Sequence, residues 1–201
     1  MKKENNLKKE IDIVFLLDRS GSMSGLEQDT IGGYNSYIKK QKNQKTKITT
    51  ILFDHDYEMI NERKPIKEIK KLTEKEYFVR GSTALFDALG KSINYMDRQK
   101  KEKVIFIITT DGEENSSTEY TKEKIKELIK KHKTWEFIYI GADIDSYKEG
   151  MALGINKTNI ANYQKNKKGI SKMFNAVAKV SKMYGDCEEI DESWKKELEG
   201  N

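Results

Sequence analysis

The sequence contains 201 residues, of which 35% are charged and 36% hydrophobic, and its formal net charge is +5 at pH 7. A chain of this length can bury one core and does not call for a second domain. The positive excess comes from lysines interleaved with glutamates, as in TKEKIKELIKKHK (121–133), a pattern typical of a solvated helix surface. The sequence lacks the one-sided basic stripe of nucleic-acid-binding proteins, so we expect no nucleic-acid partner.

Cysteine content and the lengths of the apolar runs bear on the cellular context. Cys187 is the single cysteine, which excludes an intrachain disulfide and a cysteine-based metal site. The first ten residues, MKKENNLKKE, contain no apolar signal-peptide core, and no run approaches the roughly 20 apolar residues of a membrane span. These features predict a cytoplasmic protein that does not bind membranes.

The chain divides into a short charged amino-terminal extension (1–10), a folded domain (11–184) and a polar carboxyl-terminal tail (185–201). Four short apolar runs mark the domain: IVFLL (13–17), ITTILF (48–53), VIFII (104–108) and FIYIG (137–141). Runs of this kind suit strands buried on both faces of a parallel sheet. Segments with helical spacing lie around them, at 26–42, 84–98, 121–131 and 169–184. The alternation predicts an α/β fold with a mostly parallel sheet and helices on both faces.

One connection departs from this alternation. After ITTILF the chain continues as DHDYEMINER (54–63) without a helical segment. We therefore predict that residues 57–62 fold back as an antiparallel strand, with the turn at Asp54, His55 and Asp56. The sheet would then be mixed, with one antiparallel strand at its edge.

Each of the four apolar runs ends on or near an aspartate: Asp18, Asp54, Asp111 and Asp143. In an open α/β sheet, ligands bind outside the carboxyl ends of the strands, where the strand order reverses. A single aspartate at such a position is more often a helix cap or a turn residue. The neighbours of each aspartate must therefore distinguish a functional site from a turn.

Asp18 has the most informative neighbours. Asp18, Ser20 and Ser22 alternate along the chain, and Gly21 permits a tight turn that brings their oxygen atoms together. Hard oxygen donors of this kind suit Mg²⁺ or Mn²⁺. Two other interpretations are a phosphate-cradling turn and an aspartate nucleophile. The first lacks its pattern, because the stretch is neither G-x-G-x-x-G nor a Walker sequence.

Three segments together resemble a known family. DRSGSMS (18–24), after a buried strand, resembles the Asp-x-Ser-x-Ser signature of the metal-ion-dependent adhesion site (MIDAS) of von Willebrand factor A-like domains. GSTALFDAL (81–89) and TTDGEEN (109–115) resemble the second and third loops of that site. The resemblance extends from residue 11 to about residue 180 and is strongest to small stand-alone members from bacteria and their phages. It implies a Rossmann-like, doubly wound, six-stranded sheet with one antiparallel edge strand.

The resemblance also implies a set of metal ligands. Ser20 and Ser22 would bind one Mg²⁺ or Mn²⁺ directly, Asp18 and Asp111 would bind it directly or through water, and Thr83 would join when a ligand is bound. In the family, an acidic side chain of a partner protein fills the position left open on the metal. The expected function is therefore metal-dependent protein binding and not catalysis.

Six further residues lie in or beside these loops and are candidates for the rim of the site: Arg19, Gly81, Ser82, Asp87, Gly112 and Glu113. Asp87 follows Thr83 by one helical turn, so it could orient a metal-bound water or, alternatively, interact with the helix dipole. Arg19 lies between two proposed ligands and could point toward the partner, or could simply be an exposed arginine.

Two alternative functions stay open. A phosphohydrolase or phosphotransferase of the haloacid-dehalogenase type would use Asp18 as a nucleophile beside Mg²⁺, but such a site resembles Asp-x-Asp, and Ser20 occupies the position of the acid–base aspartate. His55 lies in the predicted turn and His132 at a lysine-rich helix end, so neither supplies a catalytic pair. The second alternative is a structural scaffold with a vestigial site.

Overall fold

The computed structural model describes residues 10–41, 45–142 and 145–200. Six strands form one sheet: β1 (Ile11–Asp18), β2 (Thr46–Phe53), β3 (Tyr57–Pro65), β4 (Val104–Thr110), β5 (Glu136–Gly141) and β6 (Ile160–Asn162). Their order is β3-β2-β1-β4-β5-β6; all pairs are parallel except β2 with β3. The predicted mixed α/β sheet with an antiparallel edge strand is confirmed. Asp143 and nearly all of the 1–10 extension lie outside the described residues.

In the described part of the chain, six α-helices accompany the sheet: α1 (Glu27–Gln41), α2 (Leu85–Arg98), α3 (Lys122–Lys131), α4 (Ser146–Ala152), α5 (Lys167–Gly185) and α6 (Lys196–Glu199). The four helices expected from the spacing of apolar residues are α1, α2, α3 and α5. The sequence pattern did not locate α4 or β6, which have seven and three residues and are too short to show a clear period. Within the described residues, no helix is both long and apolar enough to cross a membrane.

Strand β1 is buried along its whole length, because helices cover both faces of the sheet. Phe15 and Leu17 belong to a core cluster with side chains of α1 and α5. Val14 and Leu16 point to the opposite face, where they join a second cluster with side chains of α2 and α3. Successive side chains of a strand point to opposite faces of the sheet. When both faces are buried, successive residues are apolar, which explains the continuous run IVFLL.

The predicted turn between β2 and β3 is confirmed. The Asp54 amide donates to the Asp56 carbonyl at 3.1 Å, and the Asp56 amide donates to Asp54 Oδ1 at 2.7 Å. Strand β3 continues to Pro65, beyond the predicted end at residue 62, and its pairing with β2 shifts register around Thr50. The irregular pairing twists this edge of the sheet.

Residues near the carboxyl terminus pack against β6 at the other edge of the sheet. The Trp194 side chain is 0% exposed, and its Nε1 atom donates to the Thr158 carbonyl at 2.9 Å. Glu199 Oε1 accepts a hydrogen bond from the Asn162 amide of β6 at 3.1 Å. These contacts satisfy a backbone donor at a sheet edge that would otherwise be open to pairing.

We expect Trp194→Ala to lower the free energy of unfolding by about 3 kcal/mol, because it removes a fully buried indole and its hydrogen bond. Trp194→Phe keeps most of the apolar contact and should cost about 1 kcal/mol. Urea unfolding of both variants measures these losses. If Trp194→Ala were as stable as the wild type, the packing of this segment would contribute nothing to stability.

Candidate metal centre

The candidate site lies where the strand order of the sheet reverses. β1 and β4 are neighbours, and the chain leads from β1 to β2 on one side and from β4 to β5 on the other. Asp18 is the last residue of β1, and Asp111 follows the last residue of β4. The two carboxylates therefore occupy the crevice at the carboxyl ends of the strands, as expected for a ligand site in this architecture.

The Asp18 carboxylate is buried, and each of its oxygen atoms accepts a hydrogen bond. Its Oδ1 atom accepts from the Ser20 amide at 2.7 Å, and Oδ2 accepts from the Thr110 hydroxyl at 2.5 Å. The Tyr77 hydroxyl donates to the Asp18 backbone carbonyl at 2.5 Å. Burial raises the pKa of Asp18 from 3.8 to about 6, although the hydrogen bonds from Ser20 and Thr110 oppose that shift.

Three hydroxyl groups converge beside these carboxylates. Ser20 Oγ and Ser22 Oγ are 3.0 Å apart, and Ser22 Oγ donates to Asp111 Oδ1 at 2.6 Å. A Cβ atom on Gly112 would lie 3.0 Å from Thr83 Oγ1, 3.1 Å from Ser22 Oγ and 3.8 Å from Ser20 Oγ. The structure thus brings the predicted residues of all three loops together, and any side chain at position 112 would intrude on the cluster.

The spacing of these oxygen atoms fits a small divalent cation. An octahedron with metal–oxygen distances of about 2.1 Å has edges of about 3.0 Å. The Ser20–Ser22 separation of 3.0 Å matches such an edge, and the Ser22–Asp111 separation of 2.6 Å is somewhat shorter. The donor set, hydroxyl and carboxylate oxygen without sulfur or imidazole, is the type that Mg²⁺ and Mn²⁺ prefer.

Backbone contacts hold the first and second loops together. The Gly21 amide donates to the Gly81 carbonyl at 3.0 Å, and the Arg80 amide donates to the Arg19 carbonyl at 2.9 Å. Gly81 has a φ of +66°, and a Cβ atom there would lie 1.9 Å from His55 Nδ1. Glycine is required at this position both by the backbone conformation and by the close approach of the histidine.

The contacts of Asp87 favour one of its two predicted roles. Its Oδ2 atom accepts from the Thr118 amide at 2.9 Å, and Oδ1 accepts from the amides of Glu119 at 2.9 Å and Tyr120 at 2.8 Å. Asp87 lies in the first turn of α2, as the helix-dipole interpretation expects, and its oxygen atoms bind the loop before α3, which leaves the water-orienting role without support. Asp87 instead fixes that loop against the start of α2.

Asn115 was not identified from the sequence, although it lies in TTDGEEN. Its side-chain Oδ1 atom accepts from the Thr83 backbone amide at 2.9 Å, and the Asn115 backbone amide donates to the Thr83 carbonyl at 3.0 Å. Asn115 therefore joins the second and third loops and sets the position of the Thr83 hydroxyl. The position of Asn115, four residues after Asp111 in the third loop, was visible in the sequence. Only the fold shows that its side chain contacts Thr83.

The prediction that Arg19 is exposed or faces a partner is wrong. The side chain is 0% exposed; its Nε atom donates to Asp54 Oδ2 at 2.7 Å and its Nη1 atom to Glu58 Oε2 at 2.7 Å. Arg19 ties the first loop to the β2–β3 hairpin. Among the other rim candidates, Ser82 and Glu113 are exposed, and Gly112 is half-buried beside the hydroxyl cluster.

Asp54, His55 and Asp56 form a separate cluster whose ligand atoms lie within 4.8 Å of one another. Arginine side chains already neutralise it: Arg19 and Arg80 lie 2.7 and 3.0 Å from Asp54 Oδ2, and Arg80 lies 3.0 Å from Asp56 Oδ2. Burial opposes ionisation of Asp54, but the Asp56 amide and the two guanidinium groups hold its pKa below the usual value. We assign this cluster a structural role.

Lys165, which the sequence did not indicate, reaches the site from the loop between β6 and α5. Its Nζ atom lies 2.9 Å from Asp111 Oδ2, and its side chain is 27% exposed. Asp111 Oδ2 is buried and accepts no hydrogen bond of regular geometry in the described part of the chain, so the contact is an ion pair.

These features define a class of protein: an open α/β domain with a cluster of hydroxyl and carboxylate oxygens at the point where the strand order reverses. The family model of the von Willebrand factor type A domain matches residues 12–176. The chain belongs to this family, which confirms the resemblance seen in the sequence.

Solved structures with the same fold include a thread matrix protein of the mussel byssus and two pilus proteins. The mussel byssus protein PTMP1, in a form with a zinc-occupied MIDAS motif, is 17% identical with a TM-score of 0.61, over 87% of this chain and 46% of that one. The pilus adhesin SpaC of Lactobacillus rhamnosus GG is 14% identical with a TM-score of 0.68, over 85% and 30%. The von Willebrand factor domain of the Porphyromonas gingivalis pili tip protein Mfa5 is 10% identical with a TM-score of 0.68, over 88% and 96%.

At these identities, the likeness to solved structures establishes the fold alone. The chain spans less than half the length of the mussel protein and of the Lactobacillus adhesin. A search of curated proteins finds no match.

The raised pKa of Asp18 predicts a pH-dependent stability in metal-free buffer. The folded state holds the proton more tightly than the unfolded chain, so the stabilisation is fully present below about pH 4 and is lost as the pH rises through about 6. The difference between the two pKa values corresponds to about 3 kcal/mol. Asp18→Asn should remove the part of the pH dependence of the free energy of unfolding that comes from Asp18. At pH 7.5 this variant should be more stable than the wild type.

Urea unfolding in EDTA at pH 5 and pH 7.5 tests this expectation. The other titrating groups are common to both proteins, so the difference between wild type and Asp18→Asn isolates Asp18. Parallel pH profiles for the two proteins would show that the Asp18 proton is not linked to folding.

Proposed function

We propose that the domain binds one Mg²⁺ or Mn²⁺ ion through Asp18, Ser20, Ser22, Thr83 and Asp111, and uses it to dock an acidic side chain of a partner protein. The convergence of three hydroxyls and the Asp111 carboxylate around Gly112 carries this proposal. Such a preformed arrangement lowers the entropic cost of assembling the ligands around an ion.

The charge of the donor set favours an anionic ligand. Three of the five proposed ligands are neutral hydroxyls, so only Asp18 and Asp111 offset the charge of a divalent ion. A bound ion would supply a Lewis-acidic centre that attracts one further carboxylate oxygen. A third fixed acid among the ligands would remove that preference.

The comparisons support a role in protein binding without identifying a partner. The mussel protein is described with zinc in its MIDAS motif, and SpaC is described as a pilus adhesin. We carry over to this chain the metal site and the docking of a protein ligand. The ion is proposed from the hard oxygen donors, which favour Mg²⁺ or Mn²⁺ over zinc.

The geometry disfavours the alternative in which Asp18 is a nucleophile. Both of its carboxylate oxygens accept hydrogen bonds, from the Ser20 amide and the Thr110 hydroxyl, and the residue is 1% exposed. A nucleophilic carboxylate must be open to its substrate and needs an acid–base partner nearby, and Ser20 stands at the position where that partner would be. Turnover of a generic phosphoester by the Mn²⁺-loaded protein would overturn our choice.

We expect weak binding of Mn²⁺ alone and tighter binding when acetate is present, because the two ligands favour each other by linkage. Isothermal titration of the wild type with Mn²⁺, with and without acetate, measures this coupling. Ser22→Ala and Asp111→Asn should abolish measurable binding, since each removes a donor from the cluster. Glu127→Gln removes an exposed acid of α3, outside the three loops; it is the control and should bind as the wild type does.

Equal Mn²⁺ affinities with and without acetate would remove the basis for carboxylate docking. Loss of binding in Glu127→Gln as well would indicate non-specific attraction to surface acids and not a defined site.

The protein partner requires its own experiment. We expect the immobilised wild type to capture a protein from native lysate in Mn²⁺ and to release it in EDTA. Asp18→Asn should capture nothing in either buffer, because the first loop loses its carboxylate. Capture that persists in EDTA or in Asp18→Asn would place the interaction elsewhere on the surface.

A further inference from the structure

We infer that Lys165 is an internal counter-ion of the metal centre: it neutralises Asp111 in the metal-free protein, weakens binding of the free ion, and makes metal binding depend on the partner's carboxylate. The inference rests on the proposed function of this site. It adds a specificity-determining residue that lies outside the three loops of the signature.

The ion pair involves a proposed metal ligand directly. Lys165 Nζ lies 2.9 Å from Asp111 Oδ2, and the Asp111 side chain is 0% exposed. The other carboxylate oxygen, Oδ1, accepts from the Ser22 hydroxyl at 2.6 Å. One oxygen of Asp111 therefore faces the hydroxyl cluster, and the other faces a cation.

The loop that carries Lys165 is held by its own contacts. The Asn166 amide donates to the Gln164 carbonyl at 2.8 Å, and Asn166 Oδ1 accepts from the Gly169 amide at 2.8 Å, which caps α5. A Cβ atom on Gly169 would lie only 1.8 Å from the Gln164 carbonyl oxygen. This close packing orders the backbone on both sides of Lys165, and from this turn the side chain reaches Asp111.

Other basic side chains near the first two loops are committed to acids outside the proposed ligand set. Arg19 pairs with Asp54 and Glu58, and Arg80 pairs with Asp54 and Asp56. Lys165 differs because its partner Asp111 is itself a proposed ligand. Its charge consequently acts on the ion-binding step, whereas the arginines act on the position of the loops.

Electrostatics then gives the direction of the effect. A divalent ion at the hydroxyl cluster would share Asp111 with the ammonium group, and the two cations repel each other at short range. Lys165 must either move away or stay close at a cost, and both lower the affinity for the free ion. A carboxylate in the open position attracts both cations and offsets the repulsion. Lys165 thereby increases the coupling between metal and acidic ligand.

The test compares Lys165→Met with the wild type by isothermal titration with Mn²⁺, with and without acetate. Lys165→Met should bind Mn²⁺ roughly tenfold more tightly without acetate and should gain less from acetate than the wild type does. Lys165→Arg keeps the charge and should resemble the wild type. Lys168→Met removes an exposed lysine at the start of α5 and is the matched control for net charge.

Thermal unfolding of the same proteins gives an independent measurement. Metal-free Lys165→Met should melt below the wild type, because Asp111 loses its counter-ion, and should show the larger increase in melting temperature on addition of Mn²⁺. If Lys165→Met is too unstable to titrate, Lys165→Gln replaces it in both measurements, with the same expectations.

The outcomes separate the two proposals. If the wild type binds Mn²⁺ but Lys165→Met binds it equally or more weakly, the counter-ion role is wrong and the metal centre stands. If Lys168→Met tightens binding as much as Lys165→Met, the effect is one of net charge, and the role is again wrong. If the wild type binds no Mn²⁺ with or without acetate, the proposed metal centre itself fails.

Discussion

The buried Asp18 carboxylate at the end of the central strand is the interaction on which the rest of the site depends. It accepts hydrogen bonds from the Ser20 amide of the first loop and from the Thr110 hydroxyl of β4, while Tyr77 holds its backbone carbonyl. Burial raises its pKa to about 6, so ionised Asp18 destabilises the metal-free fold. The extensive apolar packing on both faces of β1 offsets that cost, as is common at binding sites.

Much of the fold and the proposed ligand set followed from the sequence because both depend on local pattern. Continuous apolar runs such as IVFLL arise only where both faces of a strand are covered, so they indicated the central parallel strands. The proposed ligands Ser20, Ser22, Thr83 and Asp111 lie in loops with recognisable residue order, and the sheet topology brings those loops to one edge. The roles proposed for these residues came from the resemblance of the three loops to the family.

The parts that the sequence did not indicate depend on contacts between distant segments. Arg19 resembles an exposed loop arginine until the β2–β3 hairpin supplies Asp54 and Glu58 as partners. The sequence around Asp87 does not distinguish an acid that orients water from one that binds loop amides, as Asp87 does. Lys165 is one lysine among many, and only the turn before α5 brings its ammonium group to Asp111. The tertiary structure determines which group a charged side chain contacts, so the sequence alone did not predict these contacts.

A formal charge count connects these features to ligand selection. Ionised Asp18 and Asp111 contribute −2, a divalent ion +2 and Lys165 +1, so the loaded site carries +1. One carboxylate from a partner neutralises it, whereas an uncharged oxygen ligand leaves the charge in place. Arg19 does not enter this count, because Asp54 and Glu58 neutralise it within the hairpin. On this count, a site with two acids and one lysine at its mouth would prefer an acidic ligand without any further contact to that ligand.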